Sequence, residues 1–137
     1  MKIEIRAVPY SKEGHKMIRI TSETVIYNPV MPGRNNWKMT HGLWDTGATN
    51  TCIPMKTALD LGIPLGDEFP MRMGSSTGHA KFCKFYLRFP EGVIEVNEGA
   101  AVENMKTGLI IGMDVIGKGK TTIEPTADGG ARFTFTV

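Results

Sequence analysis

The sequence predicts an all-β domain, a small barrel or sandwich of short strands with one or two short helices. Three observations carry this expectation. Apolar and polar residues alternate by twos along most of the chain. Turn-forming residues interrupt that alternation at short intervals, drawn from 16 Gly and 8 Pro scattered through the sequence. With 137 residues and a 41% hydrophobic share, the chain has enough apolar surface for one core and too little for several domains.

In chain order, alternation marks strands over Lys2 to Arg6, Met17 to Thr21, Thr24 to Tyr27, His79 to Phe89, Val93 to Val96, Thr121 to Glu124 and Arg132 to Val137. Turns are expected at Glu13-Gly14, from Asn28-Pro29 through Pro32-Gly33, from Gly74 to Gly78, at Pro90-Glu91-Gly92 and at Asp128-Gly129-Gly130. One segment departs from this pattern. Pro54 to Leu61 places helix formers after a proline, and Gly62 followed by Pro64 stops them. A second helical turn is expected after Gly112, over Met113 to Ile116. No repeat, linker or low-complexity tract interrupts residues 1–137, so one domain is expected from end to end.

Composition narrows function by exclusion. No apolar run approaches the roughly 20 residues that cross a bilayer, so no membrane association is expected. Lys and Arg are interleaved with Asp and Glu at a net charge of +2, without the basic stripe that tracks a phosphate backbone, so nucleic acid is not an expected partner. The first ten residues alternate charged with apolar side chains and offer no signal-peptide stretch, which makes the expected location cytoplasmic. Cys52 and Cys83 are therefore expected to be reduced. His15, His41, His79 and the two cysteines show no metal-ligand spacing, and no metal or other cofactor is expected. Gly112 to Lys118 fits the first seven positions of a phosphate-binding loop, but Gly119 stands where that loop needs Ser or Thr. Ser75 and Ser76 lack the elbow and the acid–His pair of a serine hydrolase.

The chemistry concentrates at Gly42 to Ile53, G-L-W-D-T-G-A-T-N-T-C-I, where apolar residues lead into a small-residue turn that opens on Asp45. A carboxylate at the end of a buried strand must be hydrogen-bonded or share a proton with a second acid. Gly47 lets the backbone turn tightly enough to bring an amide to that carboxylate, and the Thr46 hydroxyl can hold the loop. The same triplet also serves as a plain hairpin turn. Downstream, Leu109-Ile110-Ile111-Gly112-Met113-Asp114 is an apolar run closed by Gly and Asp, with Asp114 suited to cap a short helix or bond nearby amides.

With Met73 to Gly78 (M-G-S-S-T-G) between them, these blocks resemble the retropepsin-like, retroviral-type aspartic proteases. The resemblance implies a small closed barrel and an aspartic endopeptidase that hydrolyses peptide bonds in a protein or peptide substrate. It makes Asp45 the catalytic acid and base, paired with its copy from a second subunit, because the chain holds a single D-T-G and the active form is then a homodimer. Thr46 matches the position whose hydroxyl grips across the two-fold axis, and Gly47 the one whose backbone approaches the dyad. Ala48, Thr49 and Asn50 match substrate-binding positions, with neutral Thr49 and Asn50 where many viral members carry acids. Ala48 also replaces the serine of two-lobed pepsins, which implies an activity optimum only mildly acidic. Gly74, Ser75, Ser76, Thr77 and Gly78 match a flap that closes over substrate, although a plain surface hairpin looks the same. Gly112 and Asp114 match structural positions. The ends, Lys2 to Arg6 and Arg132 to Val137, are suited to interleave across the dimer, while Met1 to Met17 has no family counterpart. The alternative is a non-catalytic dimeric peptide-binding or assembly module of the same fold, with Asp45 as a hydrogen-bonded turn residue. A monomeric small-ligand barrel is a third reading.

Overall fold

The computed structural model describes residues 1–30, 35–73 and 76–137. The turn expected at Pro32-Gly33 and the flap residues Gly74 and Ser75 lie outside the described residues. In chain order the first strands are β1 (Lys2–Ala7), β2 (Tyr10–Lys12), β3 (His15–Met17), β4 (Thr21–Tyr27), β5 (Trp37–Trp44) and β6 (Cys52–Pro54). Helix α1 (Met55–Asp60) follows, then β7 (Leu65–Met73), β8 (Ser76–Phe89), β9 (Gly92–Val102) and β10 (Leu109–Ile111). Helix α2 (Met113–Ile116), β11 (Lys120–Pro125) and β12 (Ala131–Thr136) complete the chain.

Six strands close into a barrel in the order β4-β5-β10-β6-β9-β8, and β8 returns to β4 through the pairs Val25↔Arg88 to Tyr27↔Tyr86. The all-β closed barrel with two short helices is thus the observed fold. Strand β7 hangs on the outer part of β8 as a long antiparallel arm, Glu68↔Lys81 to Met73↔Ser76. A separate sheet, β1-β12-β11, packs beside the barrel. Its inward residues Phe133 and Phe135 meet the Trp44 ring at centroid distances of 5.0 and 5.3 Å. The core that joins the two sheets includes Ile26, Ile53, Phe85, Leu87, Leu109 and Ile111.

Burial explains which strands alternate. In β12 every second side chain enters the core, and the sequence A-R-F-T-F-T shows it directly. In β9 the alternation of Val93 to Val96 gives way to four consecutive buried residues, Gly99 to Val102. There Ala101 faces the main core, while Ala100 and Val102 join Cys52 and Ala80 in a second cluster covered by Phe69 and Met71 of the arm. A strand covered on both faces carries no polar face. Gly99 is required because a side chain there would run into the Phe85 ring.

Helix α1 begins after Pro54 and stops as expected: the Ile63 N–H donates to the Ala58 carbonyl at 2.9 Å, with Gly62 at φ +65°. The strand expected over Met17 to Thr21 is not continuous. β3 ends at Met17, β4 starts at Thr21, and residues 18–20 carry the chain from the exposed β2–β3 hairpin into the barrel wall. The Ile20 carbonyl there accepts the Trp44 N–H at 2.9 Å. β1 pairs with β12 of the same chain from Lys2↔Thr136 to Ala7↔Ala131. β12 is thus paired on both sides within the chain, and β1 and β11 form the edges of this sheet.

Candidate active site

Strand β5 delivers Asp45 to the mouth of the barrel. Its pattern is inverted, with apolar Trp37 and Met39 outward and Gly42 inward, because a Cβ at Gly42 would lie 2.9 Å from the Leu109 side chain and 3.0 Å from that of Ile111. The parallel neighbour β10 can therefore approach closely, pairing Leu109↔Gly42 to Ile111↔Trp44. One step further, the Asp45 N–H donates to the Ile111 carbonyl at 2.9 Å. Trp44 is pinned from the other side, its indole N–H donating to Ser22 Oγ at 2.9 Å.

The loop after Asp45 turns back on the carboxylate. The Gly47 N–H donates to Asp45 Oδ1 at 2.8 Å, and a Cβ on Gly47 would sit 3.1 Å from that oxygen. A charge-assisted bond of this kind orients the carboxylate. The expectation of a buried carboxylate is corrected: Asp45 is half-buried, since it is the first residue past the strand end, where the barrel opens. Thr46 and Gly47 are exposed, and the Thr46 hydroxyl has no hydrogen-bond partner among the described residues.

The loop is locked from below by the turn between β10 and α2. The Met113 N–H donates to the Ala48 carbonyl at 2.7 Å and the Asp114 N–H to the Thr49 carbonyl at 3.1 Å. A side chain on Gly112 would lie 2.7 Å from the Asn50 carbonyl oxygen and 2.8 Å from that of Ala48, so the close approach requires glycine. Asp114 accepts the Val115 N–H at 2.9 Å and the Thr51 hydroxyl at 2.6 Å. Thr51 in turn accepts the Gly112 N–H at 3.1 Å. Gly112 and Asp114 thus hold the loop, and Thr51, absent from the sequence reading, is the buried residue that joins them. Its only signal in sequence is a hydroxyl directly before the apolar pair Cys52-Ile53.

Asp45, Gly47, Ala48, Thr49 and Asn50 line one cleft of about 850 Å³. Asn50 is held at its edge, its amide donating to the Glu98 carbonyl at 2.9 Å. One wall is apolar and rich in sulfur, with Cys52, Met71, Met105 and Ile110. The rim adds Arg72, Asn104, Lys106 and Thr107, which the sequence reading did not connect to the site. Of the expected flap residues, Thr77 and Gly78 pair with Arg72 and Met71 but do not line the cleft, where the strand opposite them, β7, supplies the wall instead. Ser76 begins β8. A second concavity of about 490 Å³, between Pro29, Leu65, Phe82 and Tyr86, shares no residue with the cleft.

Both cysteines are free and buried. Burial pushes the Cys52 thiol up to about 11, helped by the nearby Asp114 and Asp45 charges, and burial pushes Cys83 up to about 12. These thiols are protonated hydrophobes rather than nucleophiles.

No family model matches the chain, and no curated protein matches it. Among solved structures, it is similar to a retropepsin-like aspartic protease from Rickettsia conorii, with a TM-score of 0.59, 14% sequence identity, and coverage of 98% of this chain and 93% of that one. At that identity the likeness is one of fold, and it extends over nearly the whole of both chains.

Proposed function

We propose that the chain is an aspartic endopeptidase whose catalytic dyad forms from the Asp45 residues of two copies. The observation that carries the reading is the Asp45 carboxylate at a cleft, held by the Gly47 N–H on a loop that Gly112, Asp114 and Thr51 lock in place. Fold likeness to a retropepsin-like protease supports it.

A single carboxylate cannot be base and acid at once. Two in contact share one proton, since their mutual repulsion disfavours double ionisation. The ionised member then takes a proton from water as that water attacks the peptide carbonyl, while the protonated member polarises the carbonyl oxygen. Roles exchange as the amine leaves. The exposed Thr46 and Gly47 form the face on which the second copy docks, and the arm of β7 and β8 covers an extended substrate.

The test is cleavage of a peptide library by purified protein, with mass measured by light scattering and Asp45→Asn alongside. Cleavage by a dimer, lost by at least a thousandfold in the variant, is expected from removal of the group that activates water. A well-folded dimer that binds peptides and cleaves none would instead identify a peptide-binding module.

A further inference from the structure

The charges around the cleft are lopsided. Among its described lining residues Asp45 is the one acid, and Arg72 and Lys106 are the two bases. Asp45 is already occupied by the Gly47 N–H. Arg72 comes from β7, directly after Met71 of the apolar wall, and Lys106 from the turn between β9 and β10, directly after Met105. Both are exposed, and neither forms a salt bridge among the described residues. The nearby Glu103 lines, together with Lys56, an adjoining concavity that shares Val102, Asn104 and Met105 with the cleft, and it is not among the cleft's own lining residues. Each base thus lines the same cleft as a flexible methionine that offers contact to an apolar side chain, and neither is paired with a carboxylate among the described residues.

We infer that the cleft selects extended peptides in which an acidic side chain accompanies an apolar one, with Arg72 and Lys106 as the specificity-determining residues. The inference rests on the peptidase reading and adds the substrate class to it. In an extended chain successive side chains point to opposite sides, so an apolar residue directed at the sulfur-lined wall leaves its neighbours directed toward the rim. There Glu or Asp meets a guanidinium or ammonium group, Gln makes a neutral bond, and Lys is repelled. Exposed ion pairs are individually weak, so two of them together give a selection of about tenfold, which salt reduces.

The experiment measures kcat/KM on pools of random peptides in which one position at a time is fixed as Glu, Gln or Lys, at low and high ionic strength. In parallel, binding of the same fluorescently labelled pools to the Asp45→Asn variant is followed by anisotropy. At each position that meets one base the wild type is expected to favour Glu over Gln by about threefold and over Lys by more, so that two such positions together give the tenfold. The double reversal R72E/K106E is expected to turn the preference toward Lys, an outcome that general damage to the site does not produce. If that protein fails to fold, Arg72→Gln and Lys106→Gln are each expected to shrink the Glu preference. Cleavage without a Glu preference, or a preference that survives these substitutions, overturns the inference and leaves the peptidase reading standing. Glu-selective binding without cleavage by the wild type supports the charge selection and overturns the peptidase reading. Neither binding nor cleavage overturns both.

Discussion

Thr51 donates its hydroxyl to Asp114 at 2.6 Å while accepting the Gly112 N–H at 3.1 Å, so one buried side chain ties the Asp45 loop to the turn after β10. Thr51→Val keeps the shape and removes both bonds, leaving an amide and a carboxylate oxygen short of a partner. The expected cost is about 2 to 4 kcal/mol, read as a lower urea midpoint, with Thr51→Ser recovering most of it; an unchanged midpoint would show that the bonds contribute nothing. The buried thiols make a second prediction at this scale. Their folded pKa values lie above the ordinary 9.0, so their contribution is fully present below pH 9 and is lost as pH rises toward about 11 for Cys52 and about 12 for Cys83. One pH unit above the ordinary value, each thiol costs about 1.4 kcal/mol. Urea midpoints at pH 8 and pH 10 should therefore converge in Cys83→Ala relative to the wild type, and an equal drop in both proteins would count against this origin.

The elements differ in how far their sequence announces them. β1 and β12 were legible because one face is buried and the other wet, which writes the period of two into I-E-I-R-A and A-R-F-T-F-T. β5 was not, because its inward Gly42 carries no side chain so that β10 can approach, and its large apolar residues Trp37 and Met39 face outward. β6 and β10, three residues each, are covered by neighbours on both sides and carry no alternation to read. The Asp45 loop, Gly112 and Asp114 could be found locally. The Arg72 and Lys106 rim could not, since only the tertiary fold brings the two bases to one cleft. Within the arm one pair of rings, Phe69 of β7 and Phe82 of β8, stacks at 4.0 Å and fastens the two strands together. Phe69→Ala removes a stacking contact worth about 1 kcal/mol. Amide exchange in β7 and the facing half of β8 should then quicken while β11 and β12 keep their protection; uniform quickening would show that the arm is not a separate unit.

At the scale of the whole molecule, the ends of the chain close a circuit. The Met1 ammonium donates to the Val137 carbonyl at 2.7 Å, the Val137 N–H donates to the Met1 carbonyl at 3.0 Å, and β1 lies against β12 along its length. The ladder that completes the Trp44 packing thus joins residues separated by nearly the entire sequence. Pairings of such separation form late, because the loop they close is entropically expensive. During synthesis β1 has no strand partner until β12 has been made, and until then Ile3 lacks Phe133 and Phe135 to pack against. Joining the two ends with a short linker and reopening the chain at the exposed Glu13-Gly14 turn converts this late closure into an ordinary hairpin. That circular permutant is expected to refold faster than the natural order in stopped-flow fluorescence, with Trp44 as the reporter. Equal rates would place the slow step in the barrel instead. Order of synthesis and order of assembly are thereby set against each other in this protein, and its first strand is the one most exposed to wrong pairing before the fold is complete.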